Sequence, residues 1–261
     1  MRKLDLSRRR FLTGAAVSAA AVPLSGCFDA AGQREGTVRN VLEIANSLTY
    51  RVQRLLLSSD SLAQEFPESE IRQAQRPNGS TNPQDANYLA HVAKDFADYR
   101  LEVTGLVEQR LSLSLDEIRN MPSRTQITRH DCVEGWSCIA QWTGTPLSGL
   151  LEAARVQSQA RFVVFTCMDT YGNGRGGLVP YYESIDLADA RHPQTILAYG
   201  LNGRSLPVAN GAPLRVRVER QLGYKMAKYI SRIELTDRLD GHGLGNGGYW
   251  EDNGYDWFAG I

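Results

Sequence analysis

The sequence has little cysteine, little histidine and no excess of either charge. Four Cys and four His are spread over 261 residues, with no Cys-x-x-Cys pair, no Cys-x-x-Cys-His and no His-Glu-x-x-His. These gaps exclude a disulfide-stapled scaffold, a self-contained zinc site, c-type haem attachment and an iron–sulfur cluster held by this chain alone. Lys plus Arg and Asp plus Glu both number 29, so nothing in the overall charge draws the chain to nucleic acid. No apolar run reaches the ~20 residues a spanning helix needs. The apolar run from Phe11 to Leu24 is diluted by Thr13, Gly14 and Ser18. What is present, 42% hydrophobic and 22% charged residues, suffices for a full core and excludes a disordered chain, collagen or a coiled coil as a description of the whole.

Residues 1–26 read as a signal peptide. Arg2, Lys3 and Arg8 to Arg10 are followed by the apolar run and then by the small exit Ser25-Gly26-Cys27. Ser7-Arg-Arg-Arg-Phe-Leu12 resembles a twin-arginine export signal, and Leu24-Ser-Gly-Cys27 resembles a bacterial lipobox, which would make Cys27 a lipidated N-terminus held at a membrane surface. The expected location is therefore periplasmic and lipid-anchored. Residues 1–26 hold five basic side chains and one acidic, so the chain from Cys27 onward would carry 24 basic and 28 acidic residues, a net charge of −4.

The remainder divides by pattern into a tether and helix (27–84), a main domain (85–240) and an aromatic, Gly-rich arm (241–261). Val38, Leu42, Ala45, Leu48, Val52 and Leu55 predict an amphipathic helix, expected to pack on the main domain rather than lie on a membrane. Arg76 to Pro83 is a turn-rich break. Strands are expected over Tyr99 to Val107, Gln126 to Arg129, Arg161 to Cys167, Leu214 to Val218 and Arg232 to Thr236. Ser114 is read as a cap for a short helix ended by Pro122, and Pro146 to Ala154 as a second helix. Strands outnumber helices without alternating regularly with them, which gives an α+β class.

Two stretches invite chemistry. Gly172-Asn-Gly-Arg-Gly-Gly177 has the spacing of a dinucleotide loop, but Pro180 and two tyrosines follow where a helix would have to start, so a surface loop is the reading. Arg129-His-Asp-Cys-Val-Glu-Gly-Trp-Ser137 is the densest polar stretch. Cys132 could be a nucleophile, a disulfide partner of Cys138, or the single thiolate on a metal whose other ligands come from a cofactor.

Cys132-Val-Glu-Gly-Trp-Ser137 followed by Trp142-Thr-Gly-Thr-Pro-Leu147 resembles the central motif of the sulfite oxidase family of molybdopterin oxidoreductases. Asn210-Gly-Ala-Pro-Leu-Arg215 and Gly223-Tyr-Lys-Met-Ala-Lys228 resemble the family's pterin-binding segment, and Tyr99 to Leu111 its opening strand and loop. The resemblance runs from Asn87 to about Asp237. It implies a sulfite-oxidase-type fold of mixed β-sheets, a molybdenum–molybdopterin cofactor and a two-electron, oxygen-atom-transfer type reaction on a small sulfur-containing molecule. By the same resemblance, Cys132 would ligate molybdenum, and Cys132, His130 and Glu134 are the expected catalytic residues. Asn87, Thr166, Asn210, Arg215, Lys225, Met226, Ala227 and Lys228 would hold the cofactor, its phosphate meeting Arg215, Lys225 and Lys228. Arg217 and Arg220 are expected on a solvated strand edge.

The local charges near Cys132, with Asp131 and Glu134 beside Arg129 and His130, disfavour an anionic substrate. The Cys-Val-Glu segment is more like the periplasmic methionine-sulfoxide reductase branch, whereas His130-Asp131 does not copy it. The run after Asp237 leaves no room for an immunoglobulin-like dimerisation domain. Electrons would be exchanged with a separate protein, a membrane cytochrome by resemblance. The rival readings are a cofactor-free binding lipoprotein and a thiol-dependent hydrolase. The arm is expected to pack over apolar surface rather than serve as a docking patch, His91, His192 and His242 to be ordinary residues, and Cys138 and Cys167 to be a disulfide or two buried thiols.

Overall fold

The computed structural model describes residues 37–56, 58, 60–172 and 177–261. The signal segment, Cys27 and the interior of the glycine-rich loop, 173–176, lie outside the described residues. The chain divides into two units, Met1–Thr49 and Tyr50–Ile261. Helix α1 spans Thr37–Leu56. Leu48, Val52 and Leu55 of its expected packing stripe are exposed. Within the second unit, Tyr50 and Arg54 of this helix instead bond Asp186, and Arg54 also bonds Asp189. These two residues also pack on the aromatic arm: the Tyr50 ring is edge-on to Phe258 at 4.8 Å, and the Arg54 guanidinium lies over the Phe258 ring at 5.5 Å.

The elements that follow are α2 (Ala86–Val92), β1 (Arg100–Gly105), β2 (Leu111–Ser114), α3 (Leu115–Arg119), β3 (Arg124–Cys132), β4 (Trp136–Pro146) and α4 (Leu147–Ala153). Then come β5 (Phe162–Gly172), β6 (Leu178–Asp186), α5 (Leu187–Ala190), β7 (Ile196–Leu201), β8 (Arg204–Ser205), β9 (Arg215–Arg217), β10 (Ile230–Thr236) and α6 (Tyr249–Asp252). One sheet has the order β2-β1-β10-β5-β6, with β1 and β10 parallel. The other runs β3-β4-β7-β8, with β9 also on β7. Strand β6 after the glycine-rich loop replaces the helix that a dinucleotide fingerprint needs.

Local pattern explains much of the first sheet. In β1, Leu101 and Val103 are buried while Arg100 and Glu102 are exposed, the period of two of a half-buried strand. Ser114 caps α3 with a full capping box closed by Glu117. The second sheet departs from hydropathy. The buried positions of β3 are Gln126, Thr128 and His130, and all of β9 is buried although two of its three residues are arginines. Arg217 is fully buried, which corrects its placement on a solvated edge, and Arg220 is partly buried with Nε 4.0 Å from Asp189. Arg217 tolerates burial because it makes a two-pronged ion pair with Glu219, at 2.9 and 2.6 Å.

The segment before α2 runs along the second sheet: Phe66 N–H donates to the Ile127 carbonyl and Arg72 N–H to that of Ile139. The C-terminal arm is packed, with Trp257 edge-on to Phe162 and Tyr255 on Tyr224. Cys132, Cys138 and Cys167 are free thiols. Among the described residues no helix is long and apolar enough to cross a membrane.

The capping box gives a direct stability test. Ser114→Ala leaves the N–H of Glu117 without its acceptor and should cost about 1 kcal/mol in the denaturation midpoint. An unchanged midpoint would show that the cap contributes nothing.

Candidate active site

Cys132 ends β3 at the tip of a tight hairpin. It pairs with Trp136 across the turn, and Gly135, with φ of 81°, donates its N–H back to the Cys132 carbonyl at 3.0 Å. A positive φ there is why a glycine closes this turn. The half-buried thiol opens into a cleft of about 610 Å³, continuous with solvent. Val133 and Glu134 line it from the hairpin, Asn78 and Gly79 from the turn-rich segment, and Asp169 and Tyr171 from β5. Tyr181, Tyr224, Met226 and Lys228 form another side, and Trp250 and Tyr255 of the arm complete the wall. Burial pushes the Cys132 thiol above its ordinary value, and the Glu134 charge adds to the rise while the backbone at Glu134 and Arg76 oppose it.

Cations gather beside and beneath this cleft. Arg215 is 1% exposed, donates to the Asn210 carbonyl at 3.0 Å, and has no partner at Nε. It makes no ion pair among the described residues, and burial followed by the Arg217 charge pushes its pKa down to about 9. Lys228 Nζ donates to the carbonyls of Asn78 at 2.6 Å and of Ser80. Burial, then the Arg215 charge, lowers its pKa to about 7. Arg215 and Arg217 both lie over the ring of buried Trp142, at 4.9 and 4.5 Å from its centroid. These cations come from β9 and the segment before β10, so the acidic character inferred from the neighbours of Cys132 is offset: Arg129 pairs with Asp131 at 2.9 Å, Arg76 lies 4.0 Å from Glu134, and Lys228 lines the same cleft.

His130 lies behind the hairpin and does not line the cleft. It is 1% exposed, and Arg217 donates to its Nδ1 at 2.8 Å, which fixes the proton on Nε2. Burial and then Arg217, Arg215 and Lys228 hold its pKa well below the ordinary value, so the ring is neutral. Gly223 packs so closely on this ring that any Cβ would collide with it. Glu134 stands at the cleft rim, accepting from Trp136 Nε1 at 2.9 Å.

Of the other expected residues, Asn210, Arg215, Met226, Ala227 and Lys228 form one continuous patch: Arg215 reaches the carbonyls of Asn210 and Met226, and the Ala227 carbonyl accepts from Val216 N–H. Three lie elsewhere. Asn87 is exposed on α2. Thr166 accepts from Arg232 at 3.4 Å on the first sheet. Lys225 is fully buried between the carboxylates of Glu183 and Glu251, because an ammonium removed from water needs paired charge. Burial, with the Glu251 charge adding to it, raises the Glu183 pKa well above the carboxylate range, while the Lys225 ammonium opposes the rise. Asn78, Asp169, Trp250 and Tyr255 were not expected at the site. Asn78 had shown only a turn signal, and the other three carried no local signal at all.

An anionic, amide-bearing cofactor fits this donor set. Arg215 Nε and Asn210 Nδ2 are buried without partners, and two cations lack a carboxylate partner. Among the described residues no three His, Cys, Asp or Glu side chains converge on a metal position, so a metal at Cys132 would take its remaining ligands from the cofactor.

The sequence profile of the oxidoreductase molybdopterin-binding domain family matches residues 89–242, and the chain belongs to that family. It is an oxidoreductase of α+β fold whose cofactor is molybdenum–molybdopterin. A putative protein-methionine-sulfoxide reductase subunit YedZ1 of Azospira oryzae is 37% identical over 97% of this chain and 88% of that one. The protein-methionine-sulfoxide reductase catalytic subunit MsrP of Xanthomonas campestris is 36% identical over 61% of this chain and 51% of its own length. The MsrP of Campylobacter jejuni is 35% identical over 58% and 54%. The match thus spans about half the length of these two MsrP chains. The crystal structure of the sulfane dehydrogenase SoxCD from Paracoccus pantotrophus aligns with a TM-score of 0.49 at 23% identity, over 54% of this chain and 39% of that one.

Removing Arg217 tests the buried cation layer. Arg217→Ala leaves the buried Glu219 carboxyl with the Gln126 amide, 2.8 Å away, but no cation, and should destabilise the protein by about 3–5 kcal/mol. A denaturation midpoint within error of wild type would show that Glu219 finds another partner.

Proposed function

We propose that this chain is the catalytic subunit of an exported, lipid-anchored reductase that converts a sulfoxide, of the methionine sulfoxide class, to the thioether. Electrons come from a separate redox protein, of which a membrane cytochrome is the expected kind. The observation that carries this reading is that the Cys132 thiol and the under-compensated Lys228 line one cleft, with the equally under-compensated Arg215 buried behind it. The names of the Azospira and Xanthomonas relatives support the sulfoxide assignment.

When bound, the molybdenum cofactor supplies two-electron oxygen-atom transfer. Cys132 provides the single protein thiolate to the metal. Arg215 and Lys228 neutralise the anionic cofactor, and Asn210 with the backbone at Met226 and Ala227 meets its polar edge. Tyr171, Tyr181, Tyr224, Trp250 and Tyr255 give the cleft an aromatic wall that shields the reaction from water and contacts sulfur favourably. Glu134 at the rim, with 58% of its side chain exposed and Arg76 4.0 Å away, gives the entrance no net positive charge that would draw in a dianion such as sulfite.

Metal analysis tests the reading. Wild type made in a cofactor-competent host should hold about one molybdenum per chain, and Cys132→Ser should lose the thiolate-to-metal absorption. Dye-reduced wild type should turn over methionine sulfoxide, and oxidised wild type should not turn over sulfite. Absence of molybdenum from the wild type, or sulfite oxidation without sulfoxide reduction, would overturn it. For the anchor, Cys27→Ala should move the exported protein from the membrane pellet to the soluble periplasmic fraction, and continued pelleting would refute lipidation at Cys27.

A further inference from the structure

One carboxyl in the cleft has no role in the scheme above. Between the pairs Thr166↔Tyr182 and Thr170↔Pro180, β5 carries two more residues than β6, an irregularity of the kind that re-aims side chains beside active sites. Asp169 lies in that irregularity and lines the same cleft as Cys132. It is 2% exposed, its Oδ2 accepts from Ser80 Oγ at 2.7 Å, and its Oδ1 is buried with no partner. A buried carboxyl oxygen facing a cleft without a donor is a group shaped for something that enters the cleft.

The groups around Asp169 leave it free to carry a proton. Burial raises its pKa to about 6, against the opposing effects of Ser80 and Lys228. Tyr88, Tyr181 and Tyr229 face it from the other packed elements and Cys167 and Tyr171 from its own strand, and burial holds all five above their ordinary values. They stay neutral across the working range. Lys228 is the one cation facing it among these groups, and an anionic cofactor beside Lys228 keeps that ammonium charged.

Reduction of a sulfoxide breaks the S–O bond and consumes two electrons and two protons, releasing the thioether and water. The redox protein supplies the electrons. The protons must enter a cleft with an aromatic wall, where among the described residues the carboxyls are Glu134 at the open rim and Asp169 within.

We propose that Asp169 delivers these protons: its Oδ1 gives a proton to the oxygen leaving the substrate sulfur, Ser80 Oγ passes the next one to Oδ2 and regains its own from water, and a half-turn of the carboxyl group presents the new proton to the substrate oxygen. Ser80 is half-buried and joined to exposed Gly79, which connects the carboxyl to solvent. Two deliveries complete one turnover. The inference rests on the sulfoxide reading for its substrate and on the position of Asp169 for its residue.

The test uses the full-length, molybdenum-loaded protein with reduced viologen as donor. Methionine sulfoxide and trimethylamine N-oxide, which both demand two protons, serve as oxygen donors. Molybdenum content is measured alongside kcat and KM from pH 5 to 9. Wild-type kcat should fall as pH rises through the Asp169 pKa. Asp169→Asn should lower kcat by about 10²-fold and abolish that limb, with molybdenum content and KM unchanged. Asp169→Glu should restore the limb, and Ser80→Ala should slow turnover while keeping it. An Asp169→Asn protein with wild-type kcat and limb overturns the inference, as does one that loses molybdenum, which would make the carboxyl a cofactor contact. Turnover of the N-oxide alone, with the Asp169 limb intact, refutes the sulfoxide reading and upholds proton delivery. Turnover of neither overturns both.

Discussion

The burial of Arg215 and Arg217 on the ring of Trp142 is the constraint from which the site follows. Two guanidiniums on alternate positions of β9 approach one indole, within 5 Å of its centroid, behind the hairpin that carries Cys132. Glu219 satisfies Arg217, and Arg217 in turn fixes the tautomer of His130. Arg215 has carbonyl partners only. A buried cation held by neutral dipoles is poorly compensated, which is why its pKa falls to about 9 and that of Lys228 to about 7. The missing counter-charge is what an anionic cofactor brings, so the electrostatics that make the empty cleft costly also make it selective for such a ligand, and occupancy stabilises the folded chain by linkage.

The second sheet shows why part of this was hidden in the sequence. β1, the Ser114 cap and α4 follow rules that act within a few residues, and the sequence reading places all three. β3 reads as a short strand over Gln126 to Arg129 because its buried face is Gln126, Thr128 and His130, residues that hydropathy assigns to solvent. Arg217 is misassigned for the same reason. Its burial depends on Glu219 two positions on and on Trp142 far back in the chain, and only the first is adjacent in sequence. Lys225 looks like a phosphate ligand until Glu183 and Glu251 come into view, 42 and 26 positions away. The family motif carried Cys132 because that residue's role rests on one hairpin. Asp169, Trp250 and Tyr255 reach the cleft through a strand irregularity and a terminal arm, and neither leaves a local trace.

The arm ties packing to chemistry. Glu251 joins Lys225 and Glu183 in a fully buried triad, which pins α6 to the segment that supplies Met226 and Lys228. Trp250 and Tyr255 flank that anchor and form the outer cleft wall, while Trp257 packs edge-on against Phe162 of β5. Severing the triad would therefore act on the wall through the backbone rather than through any contact with the cleft. The arm lies beyond the stretch matched by the family profile, which ends at residue 242, so the cofactor side and the outer wall of the cleft are built from different parts of the chain.

That division separates two tasks that conflict within one low-dielectric space. Cations strong enough to hold an anionic cofactor would also attract small anions, and sulfite would then compete with a neutral sulfur compound. Arg215 and Arg217 are set at the cofactor side, behind Cys132, and neither lines the cleft. The surface a substrate meets is aromatic, with the Glu134 carboxylate at its edge. Under the proposed reading, the guanidiniums behind Cys132 and the Lys228 ammonium within the cleft face an anionic cofactor, while the Arg76–Glu134 pair leaves the entrance without net charge, a setting that suits a neutral molecule with an apolar body and a single polar S–O bond.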